Sequence, residues 1–93
     1  MLGFFLDLGF GYKVALNEIL AIMPISVSTV RQLYNEKRKA GKSYRATKGR
    51  KAISLILLKN DTVFTSALTP DELVDNIREI KLIGRRGEFV NAD

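Results

Sequence analysis

Most of the positive charge of this 93-residue chain lies in one stretch, residues 31–51, with the sequence RQLYNEKRKAGKSYRATKGRK. The stretch contains nine Lys or Arg residues and one acid, Glu36, which gives 9 − 1 = +8. Because the whole chain has a net charge of +5, the other 72 residues together carry 5 − 8 = −3. Any fold of this chain therefore keeps one helix, one turn and one loop, all strongly basic, at its surface.

A surface this uneven in charge attracts polyanions, because each cation that meets a phosphate releases a condensed counterion. The charge by itself does not separate DNA from RNA or from an anionic membrane. The structural alternative is a solvated helix face and a basic loop without any ligand. Lys37, Arg38 and Lys39 also suit the last turn of a helix, where cations interact favourably with the helix dipole, and both roles can hold at once.

The chain contains neither Cys nor His. Disulfides and thiolate metal sites are thereby excluded, and a zinc site would need carboxylates alone. The commonest general base and the Cys nucleophile are also absent. We therefore expect no enzyme activity, no metal, no cofactor and no small-molecule substrate. A length of 93 residues with 46% hydrophobic residues predicts one globular domain with a modest core.

No apolar run approaches the roughly 20 residues of a transmembrane helix. The N-terminal sequence MLGFFLDLGFGYK is apolar, but it has no basic region and is interrupted by Asp7, so it is not typical of a signal peptide. We therefore expect a soluble, cytoplasmic protein without a membrane partner.

The first part of the chain reads as short strands. Residues 2–8 predict a buried strand, and Gly9-Phe10-Gly11 predicts a tight turn. Residues 12–16 and 19–23 predict two further strands, joined by a bend or bulge at Asn17-Glu18. A short helix is the alternative for 19–23, because periodicity cannot separate the two over so few residues.

A helix is predicted next, with Ser26 or Ser28 as the N-cap and Gly41 just beyond its C-terminus. Its apolar stripe consists of Val27, Val30, Leu33 and Tyr34. At about 100° per residue, Arg31 and Arg38 share a face roughly a quarter turn away from that stripe. One side of the helix can thus pack on a sheet while both arginines stay available to a ligand.

The second half of the chain predicts a short strand at 44–47 and a turn at 48–51 that carries three cations around Gly49. The strongest strand pattern of the chain, AISLILL, occupies 52–58, and a hairpin turn at 59–61 leads to a partner strand at 62–68.

A second helix begins at a clear signal, Thr69-Pro70-Asp71-Glu72, in which Thr69 is the N-cap and Glu72 completes a capping box. An apolar stripe of Leu73, Ile77 and Ile80 predicts that the helix runs to about Ile80. Residues 81–93 are predicted to form a mobile or late-folding C-terminal tail.

Three separated segments resemble, in order, the RemA family of small bacterial regulators: LDLGFGYKVALNEILAIM, YRATKGRKA, and SALTPDEL at the end of the hydrophobic hairpin. The resemblance covers roughly residues 2–80. It implies a DNA-binding and oligomerisation domain at 1–80, with residues 81–93 as a tail outside it.

The resemblance also implies a function. Members of this family activate genes for extracellular matrix and biofilm, and they bind DNA without a helix-turn-helix. It implies a ring-shaped homo-oligomer that carries double-stranded DNA along its outer surface, associated with the nucleoid. The basic pair that follows a glycine in the family corresponds to Arg50 and Lys51. The family often has Arg at the position of Glu18, so the charge at that contact is reversed here.

The predicted fold is therefore α+β, a single domain with a small mixed sheet of short strands and two helices, assembling into a ring-like homo-oligomer. The residues predicted to contact DNA are Arg50, Lys51, Lys48, Arg31 and Arg38. An RNA-binding or other polyanion-binding module without a regulatory role is the alternative. The lack of an aromatic-rich segment disfavours single-stranded RNA, and the core's need for the small apolar stripe of the basic helix disfavours a membrane.

Overall fold

Seven strands and two α-helices make up residues 2–81, the part of the chain that the structure, a computed structural model, describes. The strands are β1 (Leu2–Gly9), β2 (Tyr12–Ala15), β3 (Ile19–Pro24), β4 (Ser43–Ala46), β5 (Ser54–Leu58), β6 (Val63–Ser66) and β7 (Ile77–Lys81). The helices are α1 (Ser28–Lys39) and α2 (Pro70–Asp75), and a 3-10 turn, Leu16–Glu18, joins β2 to β3.

The strands form two sheets, in the orders β2-β1-β7 and β3-β5-β6-β4. All pairs are antiparallel except β4 with β6, so the four-stranded sheet is mixed. The α+β class and the two helices are confirmed, whereas the prediction of one sheet is wrong. The 3-10 turn at the predicted bend, Leu16–Glu18, carries the chain from one sheet to the other. The hydrophobic pattern of each strand does not reveal which of the two sheets the strand joins.

The core lies on both faces of β5, because successive strand residues point to opposite sides. Ile56 and Leu58 join the cluster between the two sheets, which also includes Leu6 and Leu8 of β1. Leu55, on the other face, packs with Val30 of α1. The protein therefore has three layers, with α1, the four-stranded sheet and the three-stranded sheet stacked in that order.

Helix α1 begins at Ser28, so neither Ser26 nor Ser28 is its N-cap. Its N-cap is Val27, which makes no side-chain cap hydrogen bond and is 44% exposed. The predicted cap at Ser26 or Ser28 is therefore wrong, as is the place of Val27 in the buried stripe. The Arg31 N–H donates to the Val27 carbonyl at 3.0 Å and closes the first turn with backbone alone.

The C-terminus of α1 ends as predicted. Gly41 has a φ of 72°, and its N–H donates to the Arg38 carbonyl at 3.1 Å. The Lys42 N–H donates to the Lys37 carbonyl at 2.9 Å. These two bonds form a Schellman motif, which satisfies carbonyls that the helix leaves free.

The prediction that the second helix runs to Ile80 is wrong. Helix α2 ends at Asp75, and Ile77–Lys81 is a strand that pairs antiparallel with β1. Pairing with β1 supplies hydrogen bonds to an edge that β2 leaves open, and Ile77 still reaches the core from the strand. Lys81, assigned to the tail by sequence, therefore belongs to β7, and the rest of the predicted tail, 82–93, lies outside the described residues.

The remaining elements occur where the sequence predicts them, with ends shifted by one or two residues. The segment 19–23 is a strand rather than a short helix, since Ile19–Pro24 pairs with β5. Ser54–Leu58 and Val63–Ser66 are shorter than the predicted strands at 52–58 and 62–68.

The capping box of α2 generates a stability prediction. The Glu72 N–H donates to Thr69 Oγ1 at 3.1 Å, and the Thr69 N–H donates to Glu72 Oε1 at 2.8 Å. We expect Thr69→Ala to lower the free energy of unfolding by about 1 kcal/mol. The Glu72 N–H loses its acceptor, the Thr69 hydroxyl, and the reciprocal bond from the residue 69 N–H to the Glu72 side chain is left without the other half of the capping box. Thr69→Ser keeps the hydroxyl and is the control. Equal denaturant midpoints for the Ala and Ser variants would show that the cap contributes nothing.

Candidate nucleic-acid interface

The two packed sheets form a sandwich with loops at both ends, and the two ends carry different loops. At one end the β1–β2 turn, the 47–53 loop and the start of α1 meet. The Ser66 hydroxyl donates to the Leu8 carbonyl at 2.8 Å, which joins the two sheets there. The Ile25 N–H donates to the Ile53 carbonyl at 2.9 Å, which joins the chain before α1 to the loop. We call this end, with Arg31, Lys48, Arg50 and Lys51, the basic end.

The turn that carries three of these cations is anchored on both sides. Thr47 is buried before it, and the Arg50 N–H donates to the Thr47 carbonyl at 3.0 Å. Lys48 and Gly49 have φ of 50° and 82°, the positive pair that a type I′ turn requires. Beyond the turn, the Ile53 N–H donates to the Ser66 carbonyl at 2.8 Å. The side chains of Lys48, Arg50 and Lys51 thus project into solvent from a fixed backbone.

Arg50 makes one contact that the sequence did not reveal. Its guanidinium carbon lies 5.5 Å from the centroid of the Phe10 ring, within the range of a cation–π interaction. Phe10 belongs to the β1–β2 turn, 40 positions away in the chain, so only the packing of the two sheets brings the pair together. The pair of glycines around Phe10 had indicated a turn, but nothing in the sequence named its neighbour.

Arg31 lies in the first turn of α1, on the side of the molecule where residue 25 meets residue 53. Its Nη1 donates to the Ser26 carbonyl at 2.9 Å, so this side chain helps to hold the segment before the helix. A guanidinium has five N–H donors, and the exposed Arg31 keeps others for a ligand.

Arg38, the fifth residue predicted to contact DNA, lies apart from the other four. It is seven residues beyond Arg31, about 10 Å further along α1. Its guanidinium carbon lies 5.5 Å from the centroid of the Tyr34 ring, one turn back on the same helix. The structure therefore brings Arg31, Lys48 and the Arg50–Lys51 pair to one end and leaves Arg38 toward the other, all five exposed.

The opposite end carries a mixed set of charges. Asp61, in the β5–β6 turn, accepts hydrogen bonds from the side chains of both Lys37 and Lys42, the latter at 3.1 Å. Two of the nine cations of the basic stretch are thus paired with an acid. These contacts join residues 24 and 19 positions apart, which sequence spacing could not predict.

Glu18, at the position where the family often has Arg, also lies at this opposite end. Its carbonyl accepts a hydrogen bond from the Lys59 N–H at 2.8 Å, beside the β5–β6 turn. Its exposed carboxylate is therefore remote from the 48–51 turn, and it does not neutralise the basic end.

Arg31, Lys48, Arg50 and Lys51, the four cations of the basic end, are all exposed. Among residues 4–77, the part of the chain whose side chains the structure describes, none of these four cations makes a salt bridge to an acid. In the same part of the chain, no group of three or more potential metal ligands occurs. No helix in it is long and apolar enough to cross a membrane.

The ion pairs of Asp61 generate a prediction on pH. The hydrogen bonds and charges of Lys37, and then of Lys42, hold the pKa of the Asp61 carboxyl below its usual value. The stabilisation from these pairs is therefore complete above the pKa of Asp in the unfolded chain, about 3.9, and is lost as the pH falls through the lower folded value. We expect Lys37→Ala to raise the pKa of Asp61 toward normal, measured by ¹³C NMR titration of the carboxyl. Lys39→Ala is the control, and a similar rise in both variants would contradict the pairing.

Comparisons with known proteins find a family match over most of the described residues. The RemA-like family model, described as extracellular matrix regulatory protein A-like, matches residues 5–77. A "Putative regulatory protein" of Thermodesulfovibrio yellowstonii is 35% identical over 77 residues, which is 83% of this chain and 91% of that protein. Similar proteins with the same description occur in Desulfatibacillum aliphaticivorans, 33% identical over 82% of this chain and 85% of that protein, and in Thermotoga maritima, 30% identical over 80% of each.

These relatives are named as regulatory proteins and not as enzymes. The family match begins within β1 and ends at the first residue of β7, so it includes both helices, the whole four-stranded sheet and part of the three-stranded sheet. The chain belongs to the RemA-like family of regulatory proteins.

Proposed function

We propose that this chain is a transcriptional regulator that binds double-stranded DNA as a homo-oligomer and carries the DNA on its basic outer surface. The observation that carries the proposal is the basic end, where an anchored turn presents Lys48, Arg50 and Lys51 and the start of α1 adds Arg31, all four exposed. By its family, the regulator would activate genes for extracellular matrix and biofilm, and it would act at the nucleoid.

The chemistry of these side chains suits phosphate better than base edges. Arg50 can present two N–H groups to one phosphate, whereas Lys48 and Lys51 act as point charges. Phosphate contacts fix the position of a protein on a duplex but carry no sequence information. The anchored backbone of the turn reduces the conformational entropy that binding would cost. We therefore propose that the 48–51 turn supplies affinity, largely independent of sequence.

Helix α1, the outer layer on the four-stranded sheet, extends the proposed DNA-binding surface away from the 48–51 turn. Its inner side is fixed against the four-stranded sheet by Val30, so its outer face remains for a ligand. Arg31 and Arg38 lie on that face about 10 Å apart, comparable with the roughly 12 Å width of the major groove. In the proposal, Arg31 binds phosphate near the 48–51 turn, and Arg38 binds a more distant phosphate.

The strands at the edges of the four-stranded sheet support self-association. Within the described residues, β3 and β4 each pair with another strand on one side only. The register of β3 against β5 shifts between Ile19 and Ala21, and the extra residue, Leu20, is 60% exposed. An open edge with an exposed apolar side chain is a surface that a second copy can cover. We propose that contacts between the sheet edges of neighbouring copies assemble the protein into a ring.

The test is duplex binding by fluorescence anisotropy over a series of salt concentrations. We expect log affinity to fall linearly with log salt, with a slope near −0.9 for each phosphate contacted. Arg50→Ala is expected to weaken binding more than Lys51→Ala, nearly equally on unrelated sequences, because both contact phosphate and only Arg can make a paired contact. Repetition of the loss in every subunit should enlarge the effect.

Lys59→Ala is the matched control, since it removes one exposed lysine from the opposite end. Light scattering should show that all variants keep the assembly of the original protein. Affinity that does not change between low and moderate salt would contradict the proposal, as would an equal loss from Lys51→Ala and Lys59→Ala. An Arg50→Ala protein that dissociates into monomers would instead give Arg50 a role between subunits, and preference for single-stranded RNA over duplex would favour a different ligand.

A further inference from the structure

Phe10 occupies a position in the backbone that an aromatic residue rarely takes. It has a φ of 55° and is followed by Gly11 with a φ of 86°. Positive φ at both central residues defines a type I′ turn, where Asn, Asp or Gly is the favoured first residue. A bulky side chain with positive φ is strained, and such strain concentrates at functional sites.

Burial does not explain why Phe is present in this turn. The side chain is 45% exposed and is not part of either core cluster. The neighbouring Gly9 has Leu68 within van der Waals reach of the Cβ position, so the strand leading into the turn is supported by the core. The ring therefore projects from a well-held hairpin without contributing much to the core.

The Phe10 ring makes a cation–π contact with Arg50. At 5.5 Å from the guanidinium carbon to the ring centroid, the ring restricts a long side chain that is otherwise exposed. A guanidinium held by an aromatic ring can still donate through N–H groups at its edge. Fewer conformations are then lost when a phosphate binds, which favours binding without a contact between Phe10 and the ligand.

We propose that Phe10 is a positioning residue for DNA binding, which orders the Arg50 guanidinium toward a phosphate. The inference rests on the proposed function and adds a second element, the β1–β2 turn, to the proposed DNA-binding surface. It also accounts for the strained turn, because the ring reaches Arg50 from the first central position of that turn.

The experiment uses Phe10→Asn, since Asn suits the first position of a type I′ turn. We expect the midpoint of thermal unfolding to stay the same or to rise, while affinity for a duplex falls about two- to five-fold at moderate salt. Phe10→Tyr keeps an aromatic ring and should restore the original affinity. Tyr12→Asn, at a residue of the same hairpin with 44% exposure, is the matched control and should not change affinity.

The decisive comparison is the same substitution in an Arg50→Ala background. If Phe10 acts through Arg50, Phe10→Asn should cause no further loss there. An equal loss in both backgrounds would overturn the inference, because it would mean that the ring itself contacts DNA. An equal loss from Tyr12→Asn, or failure of Phe10→Tyr to restore binding, would also overturn it.

The two proposals fail in different ways. If Arg50→Ala weakens binding and Phe10→Asn does not, the positioning role is wrong and the proposed function stands. If Arg50→Ala leaves duplex binding unchanged, the proposed function is wrong, and this inference fails with it.

Discussion

The structure depends on the burial of β5 from both sides. Ile56 and Leu58 pack toward the three-stranded sheet, and Leu55 packs toward α1. Each fully buried side chain of this size contributes about 1.5–3 kcal/mol of hydrophobic free energy. Because one strand joins both packing interfaces, it sets the position of α1 relative to the β1–β2 hairpin. The elements that carry the basic residues are thereby fixed to a common frame.

Buried polar contacts complete that frame at the basic end. The Ser66 hydroxyl donates to the Leu8 carbonyl, and the Ser54 hydroxyl donates to the Leu68 carbonyl at 2.7 Å. Both serines are fully buried, so loss of either partner would leave an unsatisfied group at high cost. The loops therefore leave the sandwich from fixed points. A surface built in this way can present phosphate-binding side chains in one arrangement while the loops themselves remain solvated.

Local signals in the sequence predicted much of the fold, but the contacts between residues far apart in the chain could not be predicted from it. The Thr69 cap and the Gly41 terminus depend on neighbours within a few residues, and both are confirmed. The assignment of Ile80 to a helix failed because its spacing suits a helix while the open edge of β1 selects a strand. The basic residues were visible in the sequence, but the contact of Arg50 with Phe10 requires two sheets to be packed first.

Hydrogen exchange measured by mass spectrometry, with and without a long duplex, tests most directly whether the basic end is the DNA-binding surface. The protein would be kept at its assembled concentration in both samples. Binding of DNA at the basic end predicts slower exchange with DNA in peptides that cover residues 9–11 and 47–53, and unchanged exchange in the β5–β6 turn at 59–62. Slower exchange confined to 59–62, with 47–53 unaffected, would contradict it.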